Sequence, residues 1–134
     1  MIDIQIDVFD AVAKAVLAEF PNAYLVDENI SVPPSLPCVC FVERDNSANI
    51  ATLDSSDNEN HARIMFELDV YSGKLNDRKR EARQIAAIAD NKLQKLGFVR
   101  MMLSPVENIL DSSVYRIKGR YQAIVSKNKV IYRR

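Results

Sequence analysis

Tryptophan is absent from the sequence, histidine occurs once, cysteine twice and glycine three times. Each scarcity removes a class of chemistry. The lone His61 excludes a two-histidine metal site within one chain, and at the end of a polar stretch it reads as a solvated side chain. Gly73, Gly97 and Gly119 stand in neither G-x-G-x-x-G nor Walker spacing, so a glycine-rich phosphate loop is set aside. Cys38 and Cys40 are too few for a disulfide framework or a zinc site. As C-x-C on one side of a strand they lack a third and fourth soft ligand, and no basic cluster nearby in sequence would activate a thiolate. They read as two small buried side chains. Net charge is also missing, with 18 basic and 18 acidic residues. No apolar run approaches the roughly 20 residues that span a bilayer. The first residues carry Asp3, Asp7 and Asp10 where a signal peptide would be positive, so the chain is expected in the cytosol, with no membrane partner.

What is present suits one globular domain. The 134 residues are 48% apolar and 27% charged, and a chain near 150 residues buries about 68–70% of its unfolded surface without staples. The neutral total is unevenly spread. Residues 1–60 hold 2 basic and 11 acidic side chains, and residues 61–134 hold 16 basic and 7 acidic. Such asymmetry fits a nucleic-acid surface, or a bipolar subunit whose acidic side meets a neighbour's basic side. It also fits charges that simply intermix once both halves fold together.

Periodicity supplies the elements. Phe9, Val12, Ala13, Val16 and Phe20 recur at three and four, which predicts a helix over about 3–19, stopped by Pro21. Tyr24 to Val26 reads as a short strand, and Pro33, Pro34 and Pro37 forbid regular structure behind it. Cys38 to Val42 is a nearly continuous apolar run, the pattern of a strand buried on both faces. Residues 44–61 are polar, predicting a long loop at about 44–62 with Asp45, Asp54, Asp57 and Glu59 against Arg44. From 63 to 71, Ile64, Phe66, Leu68 and Val70 alternate with Arg63, Met65, Glu67, Asp69 and Tyr71, a clear strand. A second helix follows, with Asn76 as N-cap, a stripe of Ala82, Ile85, Ala86, Ala89, Leu93 and Leu96, and Gly97 at its left-handed end. Residues 98–103 form a strand broken at Pro105, residues 114–125 a long strand, and a turn at Lys127-Asn128 leads to a last strand at 130–132. The order predicts an α+β fold: a mainly antiparallel sheet of four to six strands with two helices packed on one face.

Two basic features stand out. Arg78, Lys79, Arg80 and Arg83 crowd the start of the second helix, where the macrodipole disfavours positive charge. Placement against that preference hints at an external partner. Arg116, Lys118 and Arg120 share one face of the long strand, with Tyr115 and Tyr121 on the other. Nucleic-acid-binding sheets put basic and aromatic residues on the same face, and this alternation separates them. The loop carboxylates sit among polar residues that supply neither burial nor a close partner to shift their pKa, so no catalytic acid is located and no enzyme is expected.

The helix ending at Phe20-Pro21, the Leu36-Pro-Cys-Val-Cys-Phe-Val42 strand, Phe66-x-Leu-Asp-Val-Tyr71, the run from Ala82 to Ala86 and on to Lys95-Leu-Gly-Phe98, and the closing Tyr115-Arg-Ile-x-x-Arg-Tyr121 strand together resemble the small tail-terminator proteins of tailed bacteriophages and of contractile phage-tail-like bacteriocin particles. The resemblance covers nearly the whole chain, treated as one domain over 1–134. It implies a virion structural protein, assembled in the bacterial cytoplasm, that forms a ring of six copies. The ring caps the tail tube, halts its polymerisation and offers the head or neck a docking surface. The implied partners are further copies of the chain, the tube protein and a neck connector. DNA would pass through the lumen without specific binding, and no cofactor or metal is implied. Related tail-completion and head–tail joining adaptors share the general fold, so that role is the alternative, and a small nucleic-acid-binding protein is a more remote one. A ring needs a heterologous interface. On this reading Asp3, Asp7 and Asp10 of one copy approach Arg78, Lys79, Arg80 and Arg83, or Arg116, Lys118 and Arg120, of the next. Asp45, Asp54, Asp57 and Glu59 would face the lumen or the tube, repelling DNA phosphates.

Overall fold

Alternation with a period of two settles the centre of the molecule. In the computed structural model, which describes residues 1–48, 60–73, 76–107 and 113–132, strand β3 (His61–Ser72) lies between β2 (Cys38–Ala48) and β5 (Tyr115–Ser126), antiparallel to both. Ala62, Ile64, Phe66, Leu68 and Val70 all point one way and are fully buried. The sheet order is β1-β2-β3-β5-β4, with β1 (Tyr24–Val26) parallel to β2 and β4 (Val99–Val106) antiparallel to β5. A short β6 (Ile131–Tyr132) pairs with the last residues of β5, beyond the stretch that β4 occupies.

Both helices pack on the face that carries Phe66. Helix α1 (Gln5–Glu19) contributes Val8, Val12 and Val16, four apart and buried, and α2 (Arg78–Leu96) contributes Ala82, Ile85, Ala86, Ala89 and Leu93. These meet Val39 and Phe41 of β2, the apolar row of β3, and Ile117, Tyr121, Ala123 and Val125 of β5. Phe41 stacks on Phe66 with ring centroids 4.6 Å apart, and Phe98 meets Phe66 edge-on at 5.6 Å, arrangements that add to area burial. Phe98 is held there by the end of α2. Gly97 adopts φ 108°, its N–H donates to the Gln94 carbonyl, and the Phe98 N–H donates to the Leu93 carbonyl at 2.9 Å. The expected left-handed stop and the aromatic folded back on the last turn are both there.

Four boundaries differ from the sequence reading, each for a local reason. Helix α1 begins at Gln5, not 3: Ile2 and Ile4 are buried in an extended lead, while the Asp3 carboxylate accepts the Gln5 N–H at 3.1 Å. Asp77 is the N-cap of α2, because Asn76 takes a left-handed φ of 67°. Strand β4 runs through Pro105, which an edge strand tolerates since its N–H side needs no ladder partner. The polar stretch after Val42 is not loop at its ends. Strand β2 continues to Ala48 through a bulge between Glu43 and Asp45, and β3 starts at His61. Asp45 and Ser47 there are exposed, and Asn46 donates to a backbone carbonyl, that of Ile2 at 2.7 Å.

Among the described residues no helix packs on the opposite sheet face. At one end Val26, Ile30 and Val114 pack over Cys38, Cys40 and Tyr71, so the proline-bearing segment before β2 covers the two cysteines. The rest of that face carries charge.

Candidate functional site

Register places the strand cations opposite carboxylates. Arg116, Lys118 and Arg120 of β5 stand across from Tyr71, Asp69 and Glu67 of β3. Arg116 Nε donates to Asp69 Oδ1 at 2.9 Å and its guanidinium lies 5.1 Å from the centre of the Tyr71 ring. Arg120 Nε donates to Glu67 Oε2 at 3.1 Å, and Lys118 Nζ lies 3.5 Å from Glu67 and 3.9 Å from Asp69. Arg44, at the β2 bulge, donates to Glu67 Oε1 at 3.0 Å. The two carboxylates are only 4% and 1% exposed. Burial alone would push the Glu67 carboxyl up, but Arg44, Lys118 and Arg120 outweigh it and hold the group below the usual carboxylate range. The three strand cations offered as inter-subunit candidates thus join Arg44 in a ladder in which four cations are shared by two buried acids.

The start of α2 is different. Arg78, Lys79, Arg80 and Arg83 are exposed, and the one ion pair they make among the described residues is Arg80 with Asp77 at 3.8 Å. Glu81, the nearest acid in the first turn, accepts from Ser72 Oγ instead. These cations border a groove of about 760 Å³ with Ala87 and the Tyr115 ring in its wall. The Tyr115 hydroxyl is buried with no hydrogen-bond partner among the described residues. Past Arg83 and Ala87 lies a second hollow of about 250 Å³, between α2 and β4, bounded by Asp90, Arg100, Leu103 and Ile117.

The acidic candidates lie elsewhere. Asp3, Asp7 and Asp10 are exposed along α1 and its lead, and Asp7 has Lys129 Nζ 3.9 Å away. Asp45 sits on β2, not in a loop, and its carboxylate accepts from Ser47 Oγ at 2.9 Å. Asp54, Asp57 and Glu59 lie outside the described residues. Beside Asp45, Glu43 has a buried carboxylate oxygen without a hydrogen bond among the described residues. Burial, then Asp3 and Asp45, push its pKa up.

Sequence reading missed a buried polar centre. Asp90 Oδ1 accepts from the Tyr121 hydroxyl at 2.7 Å and from Arg100 Nη1 at 3.1 Å, and Oδ2 accepts from Gln94 Nε2 at 2.8 Å. Burial, joined by Asp90, drives the Tyr121 hydroxyl pKa well up. The available signal was Asp90 one turn beyond Ala86, an acid placed on the buried stripe of the helix. The cysteines are free and buried. The neighbouring thiol draws Cys40 down against its burial, and the same neighbour effect together with burial pushes Cys38 up. Among the described residues no group of three or more His, Cys, Asp or Glu is placed to hold a metal ion, and no helix is long and apolar enough to cross a membrane. Neither a protein-family model nor a curated protein matches the sequence.

Proposed function

We propose that the protein is a structural adaptor of the tail-terminator kind, whose copies close into a ring that caps a phage-type tail tube, stops tube growth and receives the head or neck. The observation that carries this reading is the polarity of the subunit. Exposed cations gather at the start of α2 with one partner among the described residues, while exposed acids line α1. A body with opposite charges on two separate patches is suited to head-to-tail contact, in which one patch of each copy meets the other patch of the next. The α+β layer in the order anticipated from the motifs supports the reading. On it the protein acts by surface complementarity, in the virion tail, with the tube protein and a neck connector as partners. A head-completion or head–tail joining role would use the same ring and differ only in partner.

Adding the purified protein to polymerising tube protein tests the proposal. Tubes of limited, uniform length carrying a terminal ring are expected, and unrestricted growth overturns it. Solution mass gives an independent reading, with a species near 91 kDa expected for six copies of a 15.2 kDa chain.

One observation favours a second reading. The α2 cations share their groove with the Tyr115 ring, joining basic and aromatic groups as single-strand binders do. On that reading the chain binds nucleic acid, and affinity falls steeply with salt in proportion to the phosphates contacted.

A further inference from the structure

We infer that the groove between α2 and the β4–β5 edge is the receiving half of a self-interface, and that it takes the exposed stripe of α1 from a second copy. The inference rests on the ring reading only in supposing that copies meet head-to-tail.

Spacing defines the inserted element. Asp7, Asp10, Lys14 and Leu17 follow one another at intervals of three and four, and Ile6 lies one turn before Asp10, so all share one side of α1. That side faces solvent: Ile6 is 64% exposed and Leu17 40% exposed. Two large apolar side chains thus stand in water with Asp7, Asp10 and Lys14 between them, Asp7 lying 3.9 Å from Lys129 Nζ. From Ile6 to Leu17 the stripe is about 16 Å long at 1.5 Å per residue.

The groove offers the complement. The groove and the second hollow beyond it together run about 20 Å along α2, from Arg78 to Asn91, by the same rise, enough for the three turns of the stripe. Its cations are Arg78, Lys79, Arg80 and Arg83 at one end, while Arg100 at the other end is already engaged by Asp90 at 3.1 Å. Its apolar wall is Ala87, Leu103, Ile117 and the Tyr115 ring. Acids meet cations while Ile6 and Leu17 leave water, which gives both register and affinity. The alternative basic surface is unsuited to the task, since Arg116, Lys118 and Arg120 already hold Glu67 and Asp69.

A charge-exchange experiment tests this on the full chain. Variant one carries Arg78→Glu and Arg83→Glu, variant two Asp7→Lys and Asp10→Lys. All four positions are exposed, and circular dichroism checks that each variant folds. Self-association is followed by light scattering over concentration and salt series. The expected result is wild-type association that weakens with salt, and at least about tenfold weaker association of either variant alone. Mixing the two variants restores association, because the acidic groove of one then meets the basic helix of the other. A wild-type monomer at every concentration overturns the inference, and so does a mixture no better than its components. If wild type associates and both variants associate equally well, the groove is the wrong surface. In that case the ring reading stands or falls on the tube-capping assay alone.

Discussion

Glu67 shows how much one side chain on an open sheet face can carry. Its carboxylate gathers Arg44, Lys118 and Arg120, so removing it leaves three cations in mutual repulsion. Glu67→Ala is expected to lose about 2 kcal/mol in denaturant titration, less than a fully buried pair because Arg44 and Arg120 keep contact with water. The sign of the pH dependence follows from the lowered pKa. The contribution is fully present above the ordinary carboxylate value of the unfolded chain and disappears as pH falls through the lower folded value. Glu67→Gln is expected to flatten that acid limb. Tyr121 is the counterpart on the helix face: Tyr121→Phe removes the shortest of three hydrogen bonds to Asp90. It is expected to cost about 1.5 kcal/mol by thermal or chemical unfolding, a typical value for a hydrogen bond to a charged group.

At the scale of elements, the end of α2 is the most constrained junction. A methyl group on Gly97 would stand 2.9 Å from Ile131 Cγ2 and 3.2 Å from the Ile131 carbonyl oxygen, at a φ that L side chains rarely adopt. Gly97→Ala is therefore expected to destabilise by about 1–2 kcal/mol through both strain and displacement of β6. The measurement is the midpoint shift in denaturant. The aromatic row behind that turn ties elements distant in sequence, since Phe41 of β2, Phe66 of β3 and Phe98 after α2 are in contact. Phe66→Ala, at the middle of that row, is expected to cost about 3–5 kcal/mol as the cavity term adds to lost burial. Arg44 stands at the β2 bulge on the same sheet face as Glu67, the face that alternation from Cys40 and Val42 gives it, and reaches Glu67 from there.

Across the whole molecule, the two basic regions are expected to separate by phenotype. Reversing Arg116 and Arg120 strips Asp69 and Glu67 of their partners and lowers the unfolding midpoint. Reversing Arg78 and Arg83 leaves that midpoint within about 0.5 kcal/mol of wild type, as exposed substitutions usually do, and changes self-association. Measuring both quantities on both variants tells a stabilising charge from an assembling one. The reverse pattern would move the interface to the open sheet face.

The sequence by itself determined the element order, the two amphipathic helices, the alternating central strand and the glycine stop of α2. These depend on periods of two and 3.6 and on backbone limits that act within a few residues. It did not determine where polar residues would be strand: Asp45, Asn46 and Ser47 belong to β2 because β3 supplies their ladder, a partner well over a dozen residues away. Nor could it tell which charges are already satisfied. Arg116 and Arg78 look alike along the chain, yet strand register sets Arg116 within 2.9 Å of Asp69, and no such pairing reaches Arg78 among the described residues. Asp90 reads as a polar interruption of a helix until β5 brings the Tyr121 hydroxyl to it. Burial and charge pairing are properties of long-range contacts, so only the tertiary structure divided the basic half into one ladder that holds the sheet and one patch that faces outward.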